Sequence, residues 1–127
     1  MTVDRLKRDL LTKLINARID LAAYLQLRKA KGYMSVSESE HLRDNLFELC
    51  NFMREKAPTL KAEYCESELI ALRRAAEVLS IAGVCLMNGR HDCPNFIAVN
   101  AEKLENCLTT LSLCIMCLNE HDKLEQY

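Results

Sequence analysis

Turn-forming residues are scarce in this chain. Its 127 residues include only three Gly and two Pro, too few for the many tight turns of a sandwich or barrel. Aromatics make up 6%, so strand-favouring side chains are thin as well. Together these shortages point to an all-α protein. The net charge is only −1, so no global field selects nucleic acid or a membrane. No apolar run is suited to a bilayer either. The most hydrophobic stretch, Leu69–Met87, carries Arg73, Arg74 and Glu77 near its middle, where charge is costly in lipid. Internal repeats and low-complexity segments are also missing.

Half of the residues are hydrophobic. At this length they can bury a real core without staples, and residues 1–127 read as one helical-bundle domain. Charge is unevenly placed. Residues 1–32 hold eight Lys/Arg against three Asp/Glu, while the remainder holds nine against fifteen. The opening MTVDRLKRDLL has charges inside what would have to be the apolar core of a secretory signal. A cytoplasmic location without membrane attachment is therefore expected. Seven cysteines is a high, odd number. In a reducing compartment most should be free thiols packed as small hydrophobes.

Leu69–Met87 is the stretch the other elements should surround. Arg73, Glu77 and Ser80 fall on one side at helical spacing, and apolar residues cover the rest of the circumference. That pattern marks a helix packed on several sides. Before it, Val3 to about Ala30 reads as one long helix, with Leu6, Leu10, Leu14, Ala17, Leu21 and Leu25 on its stripe. Gly32 is a natural left-handed stop.

Two overlapping capping boxes follow, Ser35 with Glu38 and Ser37 with Glu40. Either starts a second helix near residues 36–38. Its buried side would be Leu42, Leu46, Leu49, Cys50 and Met53, with Phe47 beside them. Pro58 disfavours helical geometry at Ala57, so this helix is expected to end there. Residues 59–65 read equally as a helical turn or a connector. Glu66 and Glu68 complement the dipole of the central helix, which exits at Asn88-Gly89.

Residues 89–99 read as an irregular loop. Its Phe96, Ile97 and Val99 are apolar enough to pack back onto the bundle. Asn100 can cap a last helix from about Ala101 to Lys123, with a seam of Leu104, Leu108, Leu111, Ile115 and Leu118. The expected fold is thus an antiparallel four-helix bundle, with a long first helix and an irregular loop before the last.

Four stretches carry a resemblance: DLLTKLINARIDLAAYLQ near the start, LRKAKGYMSVSES at Leu27–Ser39, VCLMNGRHDCP at Val84–Pro94 and VNAEKLENCL at Val99–Leu108. In this order, and over essentially the whole length, the sequence resembles the small bacterial biofilm-regulator family called BssR or YliH. The resemblance implies a cytosolic regulator that represses biofilm formation. It also implies links to gene expression touching catabolite repression, stress, indole and autoinducer-2 signalling. No catalytic or binding residues come with it.

The residues themselves offer few sites. Cys85, His91 and Cys93 have a C-x5-H-x-C spacing that matches no common zinc finger, and zinc prefers four soft ligands. Cys114 and Cys117 form C-x-x-C late in an amphipathic helix, with no strand beside it. A redox dithiol sits instead at a helix N-terminus, so core packing is the simpler account. Cys65 and Cys93 should be the exposed thiols, and Cys93 is the candidate reactive one because Arg90 and His91 would favour its thiolate, although the neighbouring Asp92 opposes it. His41, His91 and His121 sit on separate elements, the first and last facing solvent, and suggest no acid–base pair. No enzyme activity, cofactor or metal is expected. The thiol- and Met-rich end, with Cys85, Met87, Cys114 and Met116, could form a pocket between helices.

Three functional readings remain. In the first, the bundle binds another, unidentified regulatory protein or a second copy of itself. In the second, the basic first helix, with Arg5, Arg8, Arg18, Arg28 and Lys29, grips DNA directly. That helix lacks interleaved aromatics and a helix-turn-helix turn, so a solvated basic face is the favoured account. In the third, a small signal molecule enters the bundle core.

Overall fold

Leucine spacing and helix caps account for most of the architecture. The computed structural model describes the backbone of residues 2–32, 34–87, 90–93, 96–98 and 100–125, and the side chains of residues 5–32, 34–62, 64–86 and 100–119. Four α-helices dominate it: α1 (Thr2–Lys31), α2 (Val36–Glu63), α3 (Glu66–Met87) and α4 (Ala101–Glu125). The chain is an all-α, four-helix bundle decorated by three short strands.

Four helix boundaries have a clear local cause; the exit expected for α3 at Asn88-Gly89 lies outside the described residues. At the end of α1, Gly32 adopts φ 81°, and its N–H donates to the Arg28 carbonyl at 2.7 Å. Only glycine takes that conformation cheaply. Of the two capping boxes, the first one forms. The Glu38 N–H donates to Ser35 Oγ at 3.0 Å, and the Ser35 hydroxyl donates to Glu38 Oε1 at 2.9 Å. Helix α3 starts with a reach-back to the main chain, in which the Cys65 N–H donates to Glu68 Oε1 at 3.1 Å. This gives the buried Glu68 side chain a partner. Asn100 caps α4 as expected, accepting from the Lys103 N–H at 3.0 Å.

Two expectations are corrected. Helix α2 does not stop at Ala57 but runs through Pro58 to Glu63. Proline removes the bond to the Arg54 carbonyl. Here Arg54, Ala57, Pro58 and Thr59 all lie on the exposed side, so water can take the orphaned acceptor. Beyond the proline, Leu60 is buried in the core and gives the last turns a reason to stay helical. The segment before α4 is not irregular either. It forms β2 (Arg90–Cys93) and β3 (Phe96–Ala98), and β3 also pairs with β1 (Met34–Ser35). The sheet order is β1-β3-β2, both pairs antiparallel, with Met34 opposite Ile97 and Ser35 opposite Phe96. Backbone pairing ties this segment to the start of α2; the side chains of Phe96 and Ile97, expected to pack back, lie outside the described residues, as does Val99.

Contacts along the helix pairs run in opposite directions on the two partners. Between α1 and α2, Tyr24 meets Ser39 and Lys13 meets Phe52. Between α2 and α3, Phe47 lies against Gly83, and Cys50 lies against Ala76. The two-residue link between α2 and α3 permits nothing else for helices that pack side by side. One apolar core is shared by all four helices and is built mainly from leucine. Leu10, Leu14, Leu46, Leu104 and Leu111 are fully buried, and Leu79 is nearly so. Their branched, rotamer-poor side chains fill the space that aromatics would otherwise take.

The segment expected to be surrounded by the other helices is not. On α3, Ala71, Leu72, Ala75, Val78, Leu79, Ala82 and Leu86 are buried, but Ile70, Ile81 and Val84 stay exposed. It packs against α2 and α4 and, among the described residues, not against α1, because in a four-helix bundle each helix has two neighbours and keeps one side in water. Its small residues let neighbours approach closely. A Cβ on Gly83 would stand 2.5 Å from Phe47 Cε1, so the phenyl ring occupies the place a side chain would need. No described helix is long and apolar enough to cross a membrane.

Candidate functional site

The buried chemistry of this protein is spent on packing. Cys107 and Cys114 are core residues. Burial pushes both thiols up, with smaller opposing pulls from Lys103 on Cys107 and from Arg74 on Cys114. Cys50 is raised by burial as well, against a weaker pull from Arg54. Its Sγ–H donates to the Ala76 carbonyl at 3.7 Å. Thiols shifted this way hold their protons and are poor nucleophiles. Cys114 therefore has the character of core filling, and Cys117 packs half-buried against the same core. Cys65 is the exposed thiol among the described residues, with its Sγ 3.2 Å from Ser67 Oγ.

Other sequence-derived candidates disperse. Cys93 lies on β2, but its side chain, like that of His91, is outside the described residues, as is His121. His41 is exposed on α2. Among the described residues, no three metal-ligating side chains come together. The pocket expected at the thiol- and Met-rich end is overturned. Cys114 is buried while Met116 is 55% exposed. Two positions apart on a helix, they face nearly opposite sides and cannot line one cavity.

The basic residues of α1 do not form one stripe. Arg5, Arg8 and Lys29 are exposed, whereas Arg18 and Arg28 are half-buried. Lys13 sits over the Phe52 ring on α2, 5.1 Å from its centroid. Lys7 sits 4.7 Å over Tyr64. Lys29 instead lines the opposite flank, with Glu105 of α4. Lys31 pairs with Glu38 at 3.1 Å, and the Lys31 contact, followed by the Ser35 hydroxyl, holds the Glu38 carboxyl below its ordinary range. Beside them, the buried Tyr24 hydroxyl meets Ser39 Oγ at 2.8 Å. Burial raises the Tyr24 phenol above its usual value, and the Ser39 contact opposes this.

Two surfaces remain after this sorting. The first is the outer flank of α3, where Ile70, Ile81 and Val84 are between 43% and 53% exposed. Leu113 and Met116 of α4 are exposed too, but they follow Thr109 by four and seven residues and so lie toward the flank that faces α1. Ile70, Arg74 and Ile81 recur at intervals of four and seven and so share one flank of α3. That flank borders α4, because Arg74 lies close enough to act on Cys114. The sequence signal was available: Leu113 and Met116 lie off the leucine seam of α4, and Ile70 and Ile81 stand beside charged positions.

The second is a cleft of about 710 Å³ between α2 and α3. Its floor is Met53, Leu60 and Leu72, all buried, and Phe47 and Leu69 form its walls. Arg54, Lys61 and Arg73 stand exposed at its rim. No residue spacing announced it, because its lining comes from two helices, α2 and α3.

Comparison with known proteins gives a consistent answer. The sequence profile described as "YliH: Biofilm formation protein (YliH/bssR)" matches residues 1–126. The chain is 57% identical over 126 residues to the protein named biofilm regulator BssR of Escherichia coli K12, covering 99% of each chain. It is equally similar to the proteins of that name from Escherichia coli O157:H7 and Shigella flexneri. No solved structure matches. Profile and relatives both span essentially the full length, and the chain belongs to the YliH/BssR family of biofilm formation proteins.

Proposed function

We propose that the protein takes part in biofilm regulation, the role its family suggests, as a non-catalytic binding module in the cytoplasm, docking the outer flank of α3 onto another regulatory protein. The observation that carries this is the exposure of Ile70, Ile81 and Val84 along one flank of α3. Single exposed apolar residues are ordinary. Three on one flank, beside Arg74 and Glu77, have the make-up of a contact surface with an apolar centre and a polar edge. Repression of biofilm formation is then the outcome of that contact. The links to catabolite repression, stress, indole and autoinducer-2 signalling lie downstream of it.

The test is the double substitution Ile70→Asp with Ile81→Asp. Both positions are exposed, so the unfolding midpoint should stay within about 1 kcal/mol of the parent. Biofilm mass in cells carrying the variant should match that of cells lacking the protein. A variant that folds, accumulates normally and still regulates biofilm mass overturns the reading. Size-exclusion chromatography of the pure protein tells whether the face is met by a second copy.

Direct DNA binding by α1 is the weaker reading, because its cations are divided between the flank facing α2 and the flank facing α4. An electrophoretic shift assay at low salt decides it. Tight binding that collapses as salt rises would restore it.

A further inference from the structure

The α2–α3 cleft combines two features that packing alone does not require together. Its floor is apolar and buried, yet the residues around its mouth are cationic. Arg54, Lys61 and Arg73 all line it, and none of the side chains lining it is acidic. Arg54 and Lys61 are seven residues apart on α2, which places them about 10 Å from one another along the helix. Arg73 faces them from α3. Among the described residues no ion pair holds any of the three. The volume, about 710 Å³, falls in the range of ordinary small-molecule sites, roughly 300–1,000 Å³.

We propose that this cleft is a binding site for a small amphipathic anion, a single carboxylate or similar acid group on an apolar tail. The tail lies on Met53, Leu60 and Leu72, and the acid group sits among Arg54, Lys61 and Arg73. Apolar burial supplies affinity for the tail. The arginines supply forked donors matched to a carboxylate. A neutral molecule of the same shape would leave those donors without partners, so charge selects the ligand. The site lies on the α2 side of α3, whereas the proposed protein contact lies on the α4 side. Occupancy can therefore be measured without reference to any partner protein.

Decanoate, kept below its micelle-forming concentration, is the probe. Titration calorimetry with the full chain should show saturable, one-site binding, at least about tenfold tighter than for decanol, as expected when charge-assisted hydrogen bonds are lost. The double variant Lys61→Gln with Arg73→Gln should bind decanoate at least about tenfold more weakly, with an unchanged unfolding midpoint. Cys50 lines the cleft and Cys65 does not, so peptide mass spectrometry gives the location. Decanoate should slow alkylation of Cys50 by iodoacetamide and leave Cys65 unaffected.

Equal affinity for decanol, or undiminished binding by the double variant, overturns the proposal. So does failure to bind decanoate at all, which would mean that the long rim side chains cover the floor themselves. Cys50 protection that grows with protein concentration in the absence of decanoate also overturns it, and assigns the cleft to a second copy of this chain.

Discussion

The two helical hairpins of this bundle solve the same packing problem by different means. The α1–α2 hairpin adds polar fastenings to its leucine seam: Tyr24 to Ser39, Lys31 to Glu38, Lys13 over Phe52. Among its described residues, only Ile19 and Leu27 are large exposed hydrophobics. The α3–α4 hairpin meets through alanine, valine, leucine and thiols. Cys85 lies close enough to Cys107 to affect its titration. Among the described residues of this hairpin five large hydrophobics are exposed, Ile70, Ile81 and Val84 on α3 and Leu113 and Met116 on α4. A regulator with little buried chemistry to spare can still be specific, provided one side of it is left unfinished.

Both hairpins draw on one shared core, which sets the largest effect expected. Leu14→Ala in α1 and Leu79→Ala in α3 should each cost about 2–5 kcal/mol in urea denaturation, through lost burial and the cavity left behind. Comparable losses in a single transition fit one cooperative unit. Two separate transitions would split the hairpins and break the comparison at its root.

Alkaline pH should come next and act mainly through thiols. Cys50, Cys107 and Cys114 are raised above 9.0, and Tyr24 above 10.0, by burial in each case. Each is neutral when protonated, so above those values the unfolded chain has shed protons that the native state retains. Their contribution is complete below the unfolded values and is lost as pH rises through the folded ones. The urea midpoint should therefore fall above pH 9.0. Replacing Cys107 and Cys114 with alanine should flatten that fall. Glu38 acts in the opposite sense: its lowered pKa means that its contribution is present above 4.5 and fades as pH drops through the folded value. The Lys31–Glu38 pair is partly exposed, so the acid-side effect should be slight.

Gly83→Ala sharpens the comparison at the α2–α3 contact. Alanine gains about 1 kcal/mol in helix propensity. Its methyl group would collide with Phe47, and overpacking costs about 1–3 kcal/mol. A net loss of about 1 kcal/mol in thermal or urea unfolding is expected, with Phe47 pushed into the cleft and decanoate affinity reduced. The smallest effect belongs to the polar fastening. Tyr24→Phe should lose about 1 kcal/mol or less, because Ser39 still donates to the Ser35 carbonyl at 3.0 Å. If this change cost as much as a core leucine, polar fastening and not leucine would define the first hairpin.

Helices, caps and core were legible because each depends on residues a few positions apart. Gly32 after α1, Ser35 with Glu38 before α2 and Asn100 before α4 all act through bonds spanning three or four residues. The leucine seams of α1, α2 and α4 follow the helical period, and the buried leucines lie on them. Pro58 misled because its cost depends on what surrounds the Arg54 carbonyl, and that is a tertiary fact. The strands misled for a similar reason. Two residues at 34–35 have no strand signal of their own and become β1 only by meeting Phe96 and Ile97, some sixty positions along. The Cys85–Met116 pocket failed because spacing within α4 puts Cys114 and Met116 on opposite sides, which helical geometry alone could have shown.

By itself the sequence determined that this chain would form amphipathic helices around one leucine-rich core, because burial of periodic apolar side chains and local capping bonds need no distant partner. It also carried the family likeness, since identity of residues is all that comparison uses. Only the tertiary structure decided that α3 keeps one flank in water, which hydrophobic positions lie there and which cations gather at one mouth. Those properties belong to pairs of surfaces brought together from distant parts of the chain, and no single stretch contains them.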